Sequence, residues 1–125
     1  PILCADTTVA VDNLILGKPQ DEDDARRMLT LMSGRSHRVI TAVAVASAQQ
    51  RADAANVSSV EFSPLTAGQI DRYVCSREPF GKAGGYAIQS QAAAWIVRIA
   101  GSYSGIMGLP LFETAAVLAK FGFEF

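Results

Sequence analysis

Residues 78–114 read EPFGKAGGYAIQSQAAAWIVRIAGSYSGIMGLPLFET, and this stretch decides the fold. A charged, glycine-rich loop leads to an apolar strand expected over 92–100. A Gly/Ser loop at 101–105 follows, then a helix beyond Gly108. In the first loop Gly81, Gly84 and Gly85 surround Lys82. Glycine tolerates positive φ and lets a ligand come close to the main chain. A lysine among such glycines is a point charge of the kind phosphate oxygens require. A glycine-rich turn with a solvated lysine is the plainer reading of the same residues. Trp95 reads as core, and Tyr103 as a residue that could line a cleft. Ser102 and Ser104 could donate to phosphate, but no His or Lys partner marks either as a nucleophile. Pro110 suits the first turn of the last helix, because its fixed φ is already helical. Leu111, Ala115, Val117 and Leu118 are expected to pack that helix, with Glu113 as a first-turn charge. The closing FGFEF is expected to fold back onto the domain.

Upstream, the chain opens PILCADTTVAVD. Ile2, Leu3 and Cys4 read as a buried strand over 2–5 that ends at Asp6-Thr7-Thr8, with 9–11 extended beyond it. Strands this apolar usually have neighbours on both sides. The expectation is that the chain starts inside a domain and lacks an N-terminal part; processing of a longer chain is the second account. Asp12-Asn13 is turn chemistry, and 14–16 is the return arm of a hairpin. Asp6 thus stands at a strand end, where α/β proteins commonly hold ligands, or merely caps the loop as an Asx turn. Lys18 stands at the hairpin exit.

A helix is expected over 21–32. Asp21, Glu22, Asp23 and Asp24 crowd its first turn and suit the dipole. Ala25, Met28, Leu29 and Met32 give its buried stripe, and Gly34 its stop. The acidic run points around the helix and is a solvated start, not a metal site. Strands over 37–46 and 57–63, separated by a polar connector at 48–55, read as an antiparallel pair. Thr66 and Gln69 form a capping box for a helix over 67–75, buried through Ile70, Tyr73 and Val74. Glu78 begins the next loop, with a surface ion pair as its expected role.

The 125 residues suffice for one domain with one core, 1–125, and half are hydrophobic against 18% charged, so the chain is globular rather than disordered. A net charge of −1 with no basic block gives no nucleic-acid-binding face. No run is long and charge-free enough for a membrane span, and the opening does not read as a secretory leader. Cys4 and Cys75 stand far apart, outside any CxxC pattern, and are expected as buried free thiols of a reducing, cytoplasmic setting. His37 has no second His or Cys at ligand spacing, which argues against zinc.

Taken together, ADTTVAVD, ILGKP, ARRMLTLMSGRSHRVITAVAV, EPFGKAGGYAIQ and GSYSGIMGLPLFET resemble the Maf family, septum-formation-inhibitor-like nucleoside triphosphate pyrophosphatases. The resemblance covers nearly the whole chain, with five blocks in the family's order. It implies an α/β fold with an elongated mixed sheet, flanking helices and a nucleotide-binding cleft, of the Maf/inosine triphosphate pyrophosphatase kind. It also implies that the family's N-terminal strand and Ser-x-Ser-Pro-Arg-Arg phosphate loop are missing, so that the chain is about the C-terminal two-thirds of a member.

Residue by residue, the resemblance implies that Asp6 is the catalytic acidic residue. It would activate water for attack on the α-phosphorus or hold the divalent metal, Mg²⁺ or Mn²⁺, that does so. Thr7 matches a position linked to substrate choice. Lys18 and Lys82 match basic residues that neutralise the triphosphate. Gln89 matches a base-recognition position whose amide offers both donor and acceptor to a pyrimidine imide edge. KAGGYAIQ is similar to the branch that hydrolyses dTTP and UTP. The branch acting on 7-methyl-GTP carries an acidic residue near the position of Gln89, which suits a cationic purine. Ser90-Gln91 depart from the small residues usual there. The family also implies a homodimer. The second functional reading is a truncated, non-catalytic protein of the same fold that binds a nucleotide or a partner.

Overall fold

The computed structural model describes residues 1–125. Five strands form one sheet in the order β2-β1-β3-β4-β5, where β1 is Ile2–Val11, β2 Leu14–Leu16, β3 Ser36–Ala46, β4 Arg51–Phe62 and β5 Ile96–Ala100. Four helices accompany it: α1 (Glu22–Met32), α2 (Ala67–Cys75), α3 (Tyr103–Met107) and α4 (Leu111–Ala119). The α/β class with a sheet and flanking helices is as expected. Within these residues every strand pairing is antiparallel.

The sheet is covered on one side, and β3 shows why. Its side chains alternate, with His37, Val39, Thr41, Val43 and Val45 buried and Ser36, Arg38 and Ala42 exposed. Period-two alternation puts every second residue on the same face. The register carries that face onto Val9 opposite Val39 and Thr7 opposite Thr41 on β1, and onto Val60 opposite His37 on β4. Against it α1 packs Ala25, Met28, Leu29 and Met32, and α2 packs Ile70, Tyr73 and Val74. Burying a leucine such as Leu29 contributes about 1.5–3 kcal/mol. The caps are those read from the sequence. Asp21 Oδ1 accepts from the Asp24 amide at 2.7 Å, and Thr66 and Gln69 bond reciprocally at 3.1 and 2.8 Å. Substituting a cap of this kind by alanine costs about 1 kcal/mol. A smaller cluster of Val43, Val45 and Val117 sits under α4.

Edge-to-face aromatic contacts run through the main core. His37 meets Phe62 and Tyr86 at 4.9 and 5.4 Å, and Trp95 meets Tyr73 at 4.8 Å and Phe62 at 6.2 Å. His37 Nε2 pairs with the Tyr86 hydroxyl at 2.6 Å, while its Nδ1 is buried without a partner. A charged imidazole there would leave one N–H unanswered, and burial holds its pKa down, to about 4 from an ordinary 6.5. A depressed native pKa means the unfolded chain takes up a proton that the folded chain refuses. The stabilisation is complete above about pH 6.5 and drains away as pH falls toward about 4, by about 3 kcal/mol in total. Urea unfolding across that window should show the loss. A His37→Gln variant, which still offers Tyr86 a partner but does not titrate, should give the flatter profile.

Several expectations need correction. The strand expected to stop at Asp6 runs on unbroken to Val11, paired with β3 from Ile2–Ala46 to Ala10–Arg38. Thr7 and Thr8 are β-branched and continue a strand readily, so Asp6 lies mid-strand. Ile2, Leu3 and Cys4 are exposed, because β2 flanks only Val9–Val11 and the other edge of β1 is unpaired below that. Both thiols are exposed, not buried.

The connector at 48–55 is mostly strand. Only 47–50 turn, and β4 begins at Arg51 with small residues that alternate between the two faces. The strand at 92–100 is shortened to 96–100, because 90–95 wind into a 3₁₀ segment. The Gly/Ser loop is partly helical, Ser102 capping α3 through the Gly105 amide at 2.9 Å. Leu111 is 60% exposed, and Phe125 of the tail 84%; only Phe121 packs inward.

Candidate functional site

The site grows from the loop after α2. Lys82 leads into a 3₁₀ turn, Ala83–Gly85, in which Gly84 has φ +74°. The Gly84 amide donates to the Gly17 carbonyl at 3.0 Å, which ties the loop to the hairpin exit. Lys82 Nζ donates to the Glu78 carbonyl at 2.7 Å, leaving two of its three protons for a ligand. The Glu78 carboxylate is not in the expected ion pair. It accepts from the Tyr73 hydroxyl at 3.0 Å and the Ser90 hydroxyl at 2.8 Å. Tyr73 accepts in turn from the Ala87 amide at 3.2 Å. Burial, aided by the Glu78 carboxylate, raises the Tyr73 phenol and keeps it a neutral donor. Both ends of 78–90 are thereby fixed to α2. Ser90 takes φ +73° directly after Gln89, a conformation that favours glycine, and its hydroxyl bond to Glu78 holds it there.

These loops enclose a cavity of about 300 Å³ lined by Thr7, Lys82 and Gln89 among apolar side chains that include Val39, Ile88 and Ile106. The volume is at the small end of the range for small-molecule pockets. Three of the five residues singled out in the sequence meet here. The Thr7 hydroxyl lies 3.1 Å from that of Thr41, which donates to the Gly105 carbonyl at 2.6 Å.

Asp6 and Lys18 do not line this cavity. Asp6 precedes Thr7 on the strand and so faces the uncovered side of the sheet, where it is exposed. It takes part in none of the ion pairs of the chain. Lys18 is exposed as well. Lys18 follows Gly17, past the end of β2, where the chain turns toward the 83–85 loop with the Gly17 carbonyl bound by the Gly84 amide.

Other residues take the plainer roles. Asp12, at φ +52°, turns the hairpin and pairs with Arg35 at 2.5 Å. Ser102 caps α3, and Ser104 accepts from the Leu111 amide at 3.0 Å. Glu113 holds Asn56 at 3.1 Å, Trp95 is core, and Tyr103 lies outside the cavity. The sequence reading missed the apolar walls, Thr41 and the bridging by Glu78. A hydroxyl at an inward position between Val39 and Val43 of β3 was the available signal for Thr41.

A family model described as Maf-like protein matches residues 1–121. The chain belongs to the Maf-like family. The chain is similar to curated proteins called dTTP/UTP pyrophosphatase, of which three illustrate the likeness. That of Polaromonas sp. is 56% identical over 124 residues, which is 99% of this chain and 61% of the relative. That of Ralstonia nicotianae is 60% identical over 121 residues, 96% and 58% of the two chains. That of Albidiferax ferrireducens is 54% identical over 124 residues, 99% and 62%. The chain spans about three-fifths of the length of these relatives. None of its helices is long and apolar enough to cross a membrane.

Proposed function

We propose that this chain is part of a hydrolase that cleaves dTTP and UTP between the α and β phosphorus atoms, giving the nucleoside monophosphate and pyrophosphate in a cytoplasmic setting. The observation that carries the reading is the cavity that brings Thr7, Lys82 and Gln89 together in a Maf-like chain. The names of its relatives support the same substrates.

In this reading the base enters the cavity, with Thr7 and the Gln89 amide reading its edge. Lys82, anchored at Glu78, and Lys18 at the hairpin exit offset the charge that builds on the bridging oxygen as the bond breaks. Asp6 takes the proton of the attacking water. No three His, Cys, Asp or Glu side chains cluster as a metal cage. Mg²⁺ does not need one, because it is commonly held by one or two carboxylates, substrate phosphates and water. Asp6, exposed and unpaired, fits as that carboxylate. A divalent ion there would supply Lewis-acid polarisation of the phosphate. A homodimer belongs to the same reading and is tested by sedimentation.

The deciding assay supplies dTTP, UTP, CTP, GTP and 7-methyl-GTP with Mg²⁺ or Mn²⁺ and separates the products. Monophosphate and pyrophosphate should form from dTTP and UTP, and a chelator should stop the reaction. Turnover of 7-methyl-GTP alone would overturn the role given to Gln89. Nucleotide binding without any turnover would favour the non-catalytic reading.

A further inference from the structure

The direction of one hydroxyl follows from its neighbours. Thr41 is 1% exposed on β3, directly opposite Thr7. Its Oγ1 lies 2.6 Å from the Gly105 carbonyl oxygen and 3.1 Å from Thr7 Oγ1. A carbonyl oxygen only accepts, so the single proton of Thr41 goes to Gly105. The contact with Thr7 then has one arrangement left: Thr7 donates and Thr41 accepts. In the reverse arrangement the lone pairs of Thr41 and of the Gly105 carbonyl would face each other at 2.6 Å.

The Gly105 carbonyl is held in place. The residue lies in α3, its amide is bound to Ser102 Oγ at 2.9 Å, and its oxygen also accepts from the Gly108 amide at 3.1 Å. Thr7 has therefore used its only proton away from the cavity, and it shows a ligand lone pairs alone.

A phosphate oxygen is itself an acceptor and is repelled by such a group. An N–H is attracted to it. Lys82 in the same cavity has the opposite preference, so a ligand settles with an N–H at Thr7 and its anionic part toward Lys82. We propose that Thr41 is a positioning residue for base choice. By holding Thr7 as a pure acceptor, it selects a pyrimidine whose ring N3 carries hydrogen, as in uracil and thymine, over cytosine, whose N3 is an acceptor. The proposal rests on the pyrimidine reading above.

Thr41→Val keeps the side-chain shape, removes the acceptor and frees the Thr7 proton to turn toward the ligand. The UTP-to-CTP ratio of kcat/KM should fall about tenfold, the factor carried by roughly one net hydrogen bond. Thr41→Ser, which restores the hydroxyl, should return the wild-type ratio. Thr41→Cys, a weak donor and acceptor, should fall between and serves if the valine protein does not fold. A merely structural role would lower both nucleotides together and leave the ratio unchanged, which would overturn the proposal.

Binding of UMP and CMP, followed by NMR titration of the same proteins, reads the preference without turnover. If the wild-type chain hydrolyses nothing yet prefers UMP, and Thr41→Val erases that preference, the pyrophosphatase reading fails and the role of Thr41 stands. A wild-type chain that binds neither monophosphate, or both equally, overturns the role of Thr41.

Discussion

Asp6→Asn is expected to lower dTTP turnover about 10³-fold while nucleotide affinity changes little. The amide has nearly the shape of the carboxylate but cannot accept the proton that the proposed mechanism assigns to Asp6. Asp6 is exposed, and no ion pair or side-chain hydrogen bond depends on it, so stability should stay within about 0.5 kcal/mol of the parent. That separation gives the test its force, because a loss of turnover at unchanged melting temperature is chemical. Asp6 and the cavity-lining Thr7 are successive residues on opposite faces of β1. A nucleotide with its base against Thr7 would therefore pass its phosphates over the free edge of the strand. Turnover unchanged in the variant would remove Asp6 as the base and with it this path.

Gly84→Ala is expected to cost about 3 kcal/mol and to lower the melting temperature by about 10 °C. Two effects add. Gly84 has φ +74°, and a Cβ built on it would lie 2.9–3.0 Å from three side-chain atoms of Val9. Val9 cannot give way easily, being 2% exposed and paired on both sides, with Leu16 and Val39. Relief would require the loop to lift, which breaks the Gly84–Gly17 bond and carries Lys82 away from the cavity. Gly81 is the control. Its φ is +84°, but a Cβ there meets nothing within 4 Å, so Gly81→Ala should cost only the backbone term, about 1–2 kcal/mol. Equal losses in the two variants would show that the clash with Val9 contributes nothing.

What the sequence made legible was whatever has a strong local cause. The stripe of Ala25, Met28, Leu29 and Met32, the Thr66–Gln69 box and the alternation of β3 each declare themselves within a dozen residues, and the structure keeps them. The segments misread depend on distant partners. Ile2–Cys4 look like core, yet they are exposed because no helix covers that end of β1 and β2 is too short to reach it. Ala52–Ala55 look like a linker, yet β3 recruits them into a ladder. The apolar run before Ile96 winds into a 3₁₀ segment after a positive-φ serine that its bond to Glu78 helps hold.

The site divides in the same way. Lys82 and Gln89 stand out by motif, and Thr7 by family position. Nothing local to Thr41 or Glu78 announces that one orients a hydroxyl and the other ties a loop at both ends. Those roles appear only when β1 meets β3 and when the loop closes onto α2.

Trp95 is the only indole in the chain, and it stacks edge-on against Tyr73, whose hydroxyl supports the Glu78–Ala87 side of the site loop. The protein thus carries its own optical gauge. Emission from that ring reports whether the core is shut to water, and it would also register any shift in Tyr73 on the proposed binding of a nucleotide. A change in colour or intensity on adding ligand follows the loop in real time, with no dye attached and no residue replaced.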